Sequence, residues 1–351
     1  MEKLTRIDVE QMIALGGKLD FVNTDLSNLD LSNLDLSQAN FEGADLQWVE
    51  LNKATLIRTY FESANLNGAN LKAANLSGAL LHKANLYSAE LEGAILEGAN
   101  LEKANLYWAQ LNGADLKGAN LKGAYMVKAI LENANLENAN LENANLEDAN
   151  LEYANLENTN LKAANLEDAN LENANLNNAN LSLANLEDAN LENANLNNAN
   201  LCLANLKGAN LENANLKGAF MNNVNFSFAK LDKTNLEGAN LEGENLEGAS
   251  FFSANLSGAN LSGAKMKGSF LVCANLDRAN MESVNLKGAI LDEAEMESVN
   301  LKGANLEGAW LKGVNLKDGN LENAILTDAD LTYIELDGAN LKGTILELEV
   351  A

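Results

Sequence analysis

The chain has 351 residues with no proline, two cysteines and one histidine, and its 50 acidic against 24 basic side chains give a formal charge of −26. An acidic excess of that size excludes a basic nucleic-acid-binding surface and a basic amphipathic membrane anchor. Two cysteines, Cys202 and Cys273, cannot make a disulfide scaffold and fit a reducing compartment.

Residues 4–17, LTRIDVEQMIALGG, form the only stretch with helical character. Thr5 can cap its start, Val9, Met12 and Ile13 fall on one face, and Gly16 suits a C-terminal stop. The start of the chain has neither the apolar region of a signal peptide nor a transmembrane run, so a cytoplasmic protein is expected.

From Phe21 to Leu346 a large apolar residue, here called the centre, stands at every fifth position through 66 consecutive units without an insertion. Leu fills 56 of these positions, and Phe and Met the rest. The pattern is plainest at Leu131–Asn150, LENAN LENAN LENAN LEDAN, where Ala precedes each following centre by two residues and Asn by one. A period of five matches neither a helix nor a long strand. The small residue and the centre lie two apart, however, so in a short extended piece both point to one face. Such pieces joined by corners wind into a solenoid around a Leu/Ala core.

The uninterrupted tandem A-[N/D]-L-x-x, over about residues 21–348, resembles the pentapeptide-repeat family. The resemblance implies an all-β fold: a right-handed quadrilateral parallel β-helix of about 16 coils, each of four units or 20 residues, with a short N-terminal helix as a lid over the core. The 20-residue coil has independent support, because Leu171–Asn190 and Leu191–Asn210 match at 17 of 20 positions. Phe21, Phe41 and Phe61 share that spacing and should stack, whereas MESVNLKGA recurs at Met281 and Met296 with a shift of 15. The expected organisation is a lead-in of residues 1–20, a single β-helix domain of 21–348 and a tail of 349–351, since nearest-neighbour stacking makes a solenoid one domain of any length.

Particular positions depart from the consensus. Leu29 and Leu34 replace the usual Ala, so the first coils should have a differently shaped bore. Gly or Asn two residues after the centre marks a corner, and stacked Asn columns should satisfy one another. Glu244 takes an Ala position between Leu241 and Leu246. An inward carboxylate is costly, so a local bulge that turns it to solvent is expected. The final segment, LTYIELDGANLKGTILELEVA, carries no helix after the last unit. An uncapped end exposes backbone groups and a Leu core, and a two-fold homodimer through the C-terminal end would cover it, as the resemblance also implies.

Little in the chain could carry chemistry. His82 stands at an outward position after Leu81 and reads as an exposed surface residue. There is no Cys/His cluster with metal spacing, no phosphate-cradling glycine loop and no nucleophile motif. No catalytic residue, cofactor or metal is therefore expected.

Two outward features remain. Residues 131–200 hold 13 acids and one Lys. In the 20-residue register Glu132, Glu152, Glu172, Glu192 and Glu212 form one column, and Glu147, Glu167 and Glu187 another, with Asp148, Asp168 and Asp188 beside them. At a rung spacing of about 4.8 Å, neighbouring carboxylates repel by roughly 0.9 kcal/mol in water, which burial of each Leu outweighs. The second feature is apolar. Tyr87, Tyr107, Trp108, Tyr125 and Val127 fall on one wall, and Phe252, Phe270, Val272, Ile290 and Trp310 on another, with Leu183 and Leu203 as a smaller pair.

Contiguous outward apolar residues suggest contacts, and Trp and Tyr are favoured anchors. The expected function is a non-enzymatic protein-interaction scaffold with an unknown protein partner, binding neither nucleic acid nor membrane directly. The resemblance implies an alternative, because some pentapeptide-repeat proteins are acidic rods that occupy the DNA-binding saddle of type II topoisomerases such as gyrase. About 16.5 coils span roughly 80 Å, a length over which B-DNA carries about 47 charges, so this chain has about half that density. The drug-protecting relatives carry projecting loops, and this repeat has no insertion to form one.

Overall fold

The computed structural model describes residues 4–347, so the expected tail of 349–351 lies outside the described residues. The chain divides into two compact units, Met1–Asn180 and Leu181–Ala351. Each is a right-handed quadrilateral parallel β-helix in which a residue pairs with the one twenty positions on. Asp45, Asn65, Asn85 and Asn105 pair in succession in the first unit, and Asn255 with Asn275 in the second.

One five-residue module builds both units. The residue two after the centre takes the left-handed conformation, as at Gly43 (φ 64°) and Asn133 (φ 57°). This lets the next small residue donate back across the corner, as Ala44 N–H does to Phe41 O at 2.9 Å. Gly and Asn recur at that corner because it costs most other residues about 1–2 kcal/mol. The remaining backbone groups reach neighbouring coils. Leu46 and Trp48 donate forward to Asn65 O (2.8 Å) and Asn67 O (3.0 Å), and Asn65 donates back to Ala44 O (2.9 Å).

The expected inward pair is what the structure has: centres and small residues such as Leu141 and Ala144 are buried. Where the small residue is polar it is satisfied, as hydrogen-bonded burial requires. Thr159 Oγ1, for example, donates to Leu136 O at 2.8 Å. Phe21, Phe41 and Phe61 stack as expected, with ring centroids 4.9 and 5.1 Å apart.

The Asn columns differ from expectation in which Asn forms them. The corner Asn two after the centre turns to a neighbouring carboxylate, as Asn138 Nδ2 does to Glu137 at 3.0 Å. The ladder belongs instead to the Asn just before the centre: Asn105 Nδ2 donates to Asn85 Oδ1 (2.9 Å), which also accepts Tyr87 N–H (3.3 Å). That position lies on the flat of the wall, where successive rungs place amides in register.

The first helix, α1 (Arg6–Ala14), starts from Thr5 with a full capping box, Thr5 and Asp8 each accepting the other's backbone N–H. The Thr5 hydroxyl and, after it, the Thr5 backbone N–H donate to the Asp8 carboxylate and hold it below its usual range. Gly16 turns left-handed (φ 66°) just after the helix. Val9 is buried and Arg6 anchors the helix to the first coil, donating to Asp30 O (3.1 Å) and Ser32 O (3.2 Å) and pairing with the Asp30 carboxylate at 3.0 Å. Those carbonyls face backward with no earlier coil to serve them, so a guanidinium fork supplies two donors on one side of the rim.

Glu244 overturns its expectation. It points inward and is only 6% exposed, with Oε1 accepting Asn223 N–H at 2.7 Å. A backbone donor compensates the buried carboxylate, so no bulge to solvent is needed. At the C-terminal coil Leu331, Leu336, Leu341 and Leu346 are only half-buried, and Tyr333 is 79% exposed. Among the described residues, no helix is long and apolar enough to cross a membrane.

Candidate interaction walls

In Met1–Asn180 the expected aromatic wall is a physical cluster. Tyr107 stacks on Tyr87 (centroids 5.5 Å apart) and on Tyr125 (5.8 Å), and Trp108 tilts against Tyr107 at 5.2 Å. Tyr87, Trp108 and Tyr125 remain exposed, Trp108 to 48%. Val127 does not belong to the exposed set: it is 6% exposed. It shares a column with Tyr107, and a ring one rung away is large enough to shield a valine.

Sequence reasoning missed one exposed aromatic residue on the corner that carries Trp108. Trp48 is exposed and lies across Gly68, so that a Cβ on Gly68 would run into its ring. Trp48 and Trp108 are 60 residues apart, three coils, which places both at the same corner. That spacing was the available signal. Tyr60 and Tyr153 are also exposed.

In Leu181–Ala351 the second strip also forms. Ser250, Phe270, Ile290, Trp310 and Asp330 pair in one parallel column, with Phe270 and Trp310 exposed and Ile290 half-buried. Phe252 is exposed and Val272 half-buried in the adjacent column. Leu183 and Leu203 are exposed at left-handed corners.

The acidic columns are present but partly neutralised. Glu132, Glu152 and Glu172 recur at one-coil spacing in the first unit and Glu192 and Glu212 in the second, each half-buried at the position after the centre. The backbone N–H of Glu152 donates to Asn150 Oδ1 (3.1 Å) and that of Glu212 to Asn210 Oδ1 (3.2 Å). Glu147 and Glu167 stand in the other column, where Asp148 faces Lys128 at 3.8 Å. In the second unit Glu187 pairs with Lys207 at 2.7 Å and Glu212 with Lys233 at 2.8 Å. Lys207 and Asn205 hold the Glu187 carboxyl below its usual range, and Glu187 raises Lys207 in turn. Lys117–Glu137 and Lys122–Glu142, both at 3.0 Å, repeat the device in the first unit. The signal lay in the duplicated coil, where Glu187 is answered by Lys207 twenty residues on.

His82 is half-buried rather than exposed. Among the described residues, no group of three or more His, Cys, Asp or Glu side chains is placed to hold a metal ion. Two open hollows, of about 400 and 340 Å³, are lined respectively by Lys18, Gln38 and Tyr60 and by Glu237, Asp277 and Arg278. Both Cys202 and Cys273 are free thiols.

A parallel β-helix built from five-residue modules, flat-walled and Asn-laddered, defines a repeat-protein class. The family profile for pentapeptide repeats (8 copies) matches at intervals from residue 20 to 343, and that for a pentapeptide repeat region matches 124–201. The chain belongs to the pentapeptide-repeat family. No curated protein matches it.

Solved structures similar to it include HetL, a pentapeptide repeat protein involved in heterocyst differentiation regulation from the cyanobacterium Nostoc sp. strain PCC 7120. HetL is 26% identical, covering 97% of this chain and 98% of that one, with a TM-score of 0.18. Rfr23 from the cyanobacterium Cyanothece 51142 is 33% identical over 32% of this chain and 86% of that one, with a TM-score of 0.25. QnrB1, a plasmid-mediated fluoroquinolone resistance protein, is 17% identical over 56% and 88%, with a TM-score of 0.32.

Proposed function

We propose that this chain is a non-enzymatic scaffold that docks a protein partner on its walls. The observation that carries this reading is the Tyr87–Tyr107–Trp108–Tyr125 cluster, whose Tyr87, Trp108 and Tyr125 rings are exposed around a half-buried Tyr107. Large amphipathic rings left at the surface are the side chains that anchor interfaces. Trp108 is held there at φ 57°, a conformation costing about 1–2 kcal/mol for a side chain with a Cβ. The Phe270–Ile290–Trp310 strip is a second docking surface.

Loss of an anchor of this kind costs about 2 kcal/mol or more, roughly thirtyfold in affinity. Quantitative cross-linking with the wild type, the Tyr107→Ser/Trp108→Ser variant and the Phe270→Ser/Trp310→Ser variant should show a partner lost from at least one variant. Equal capture by all three would sink the scaffold reading.

The acidic columns favour a second reading, a DNA mimic acting on a type II topoisomerase. Inhibition of gyrase supercoiling should then fall with salt and disappear in Glu152→Lys/Glu172→Lys/Glu192→Lys. No inhibition at micromolar protein would remove this reading, and the Lys207 and Lys233 pairings already weaken it.

The half-buried Leu331, Leu336 and Leu341 with exposed Tyr333 further support a homodimer through the C-terminal coil. Analytical ultracentrifugation should find a dimer for the wild type and a monomer for Leu341→Asp. A monomeric wild type at tens of micromolar would exclude the dimer.

A further inference from the structure

Within Leu181–Ala351 the backbone ladder follows the rule set out above. Leu211 and Asn213 donate forward to Lys230 O (2.7 Å) and Asp232 O (3.0 Å), and Lys230 donates back to Ala209 O (2.9 Å). Along one stretch the rule fails. Among the described residues, Gly218 and Met221 make no forward bond to 237 and 240, and Asn240 makes none back to 219. Phe220 and Asn240 do not pair, although Asn215–Asn235 and Asn225–Asn245 on either side do. The coils beyond are intact, with Leu201 N–H on Phe220 O at 2.8 Å and Leu241 N–H on Asn260 O at 2.7 Å. The break is therefore a single interior rung.

Glu244 stands in this break. Its Oε1 accepts the N–H of Asn223, which by the ladder rule belongs to the carbonyl of Glu242. Ala219 and Ala239, on the two lips, are half-exposed, whereas Ala209 and Ala229 are buried. Val224 and Ala264 precede and follow Glu244 in its inward column, between apolar centres, and among the described residues no ion pair reaches it. Burial raises its pKa, and the N–H groups of Asn223 and Val224 oppose the rise. A carboxylate in an alanine-sized place needs both room and a donor, and the rung supplies both by giving up its own bonds.

We infer that Glu244 is a wedge holding one rung open, which makes residues 218–224 against 237–244 the built-in point of local opening in this unit. A solenoid held together by nearest-neighbour interfaces parts where one interface is weakest. Opening here bares two sets of unpaired ladder groups beside the exposed Phe220.

Amide hydrogen exchange of the full chain at neutral pH tests the inference. Gly218, Met221 and Asn240 should exchange on the order of tenfold or more faster than the ladder amides of Leu256 and Leu261. Glu244→Ala restores the small residue that the repeat prefers and should slow the three amides by a similar factor. Glu244→Gln retains the bulk and the acceptor and should leave them fast. Slow exchange at these amides in the wild type, or unchanged fast exchange in Glu244→Ala, would overturn the wedge. Equal slowing in Glu244→Gln would overturn it too, because charge alone would then hold the rung open.

Discussion

Leu141→Lys should destabilise the chain by on the order of 5 kcal/mol, the sum of a lost leucine burial and an unpaired buried charge. Leu141 is fully buried, and its N–H is committed to Asn160 O at 2.7 Å, so its side chain cannot turn outward without breaking the rung. The same lysine two residues on has no such consequence. Asn143 is an exposed left-handed corner (φ 58°), and Lys103 and Lys128 occupy equivalent corners at φ 57° and 58°. Asn143→Lys should therefore stay within about 0.5 kcal/mol of wild type. Urea denaturation followed by circular dichroism separates the pair. A Leu141→Lys protein as stable as Asn143→Lys would refute the inward assignment of the centre column.

The second large effect is expected at Phe41. Its ring lies between Phe21 and Phe61 in a column of near-parallel rings, tilted by 11° and 7°. Phe41→Ala should cost about 3–5 kcal/mol through the cavity left behind, including roughly 0.5–1.5 kcal/mol of ring–ring contact. Phe41→Leu should cost less, because Leu is the residue that fills most other centres. The first coils also hold Leu29 and Leu34 where later coils have Ala, and these two leucines are only half-buried. If Phe41→Ala lost no more than about 1 kcal/mol in urea denaturation, those leucines would have moved into the vacated space, and the phenylalanine column would not be a rigid core.

Much of the fold was legible because each residue's direction is set within its own five-residue module. The inward pair, the left-handed corner and the Thr5 cap all depend on neighbours no more than four residues away. The columns followed by counting twenties, which is how the Phe21–Phe41–Phe61 stack, the Tyr87–Tyr107 pair and the Phe270–Ile290–Trp310 strip could be expected. Trp48 was open to the same count and was missed because Gly68 and Ser88 stand between it and Trp108 in the column.

The rest depends on what one coil does to the next. Val127 and Glu132 occupy the same place in the module, yet Val127 is shielded while Glu132 is half-exposed. Likewise Glu187 and Glu152 both stand after a centre, but Glu187 has a lysine on the following rung.

The sequence by itself determined the period, a solenoid of short extended pieces, the buried column, the N-terminal helix and the columns of outward side chains, because a strict repeat with no insertion leaves one consistent way to turn each residue. Only the tertiary structure decided which Asn forms the ladder, which acids are neutralised, which apolar residues stay exposed, and that Glu244 enters the core at the expense of a rung. These outcomes turn on competition for a small number of donors and a little space between adjacent coils. A pattern of residue types specifies who the neighbours are, and the packed coordinates specify which of them takes the bond.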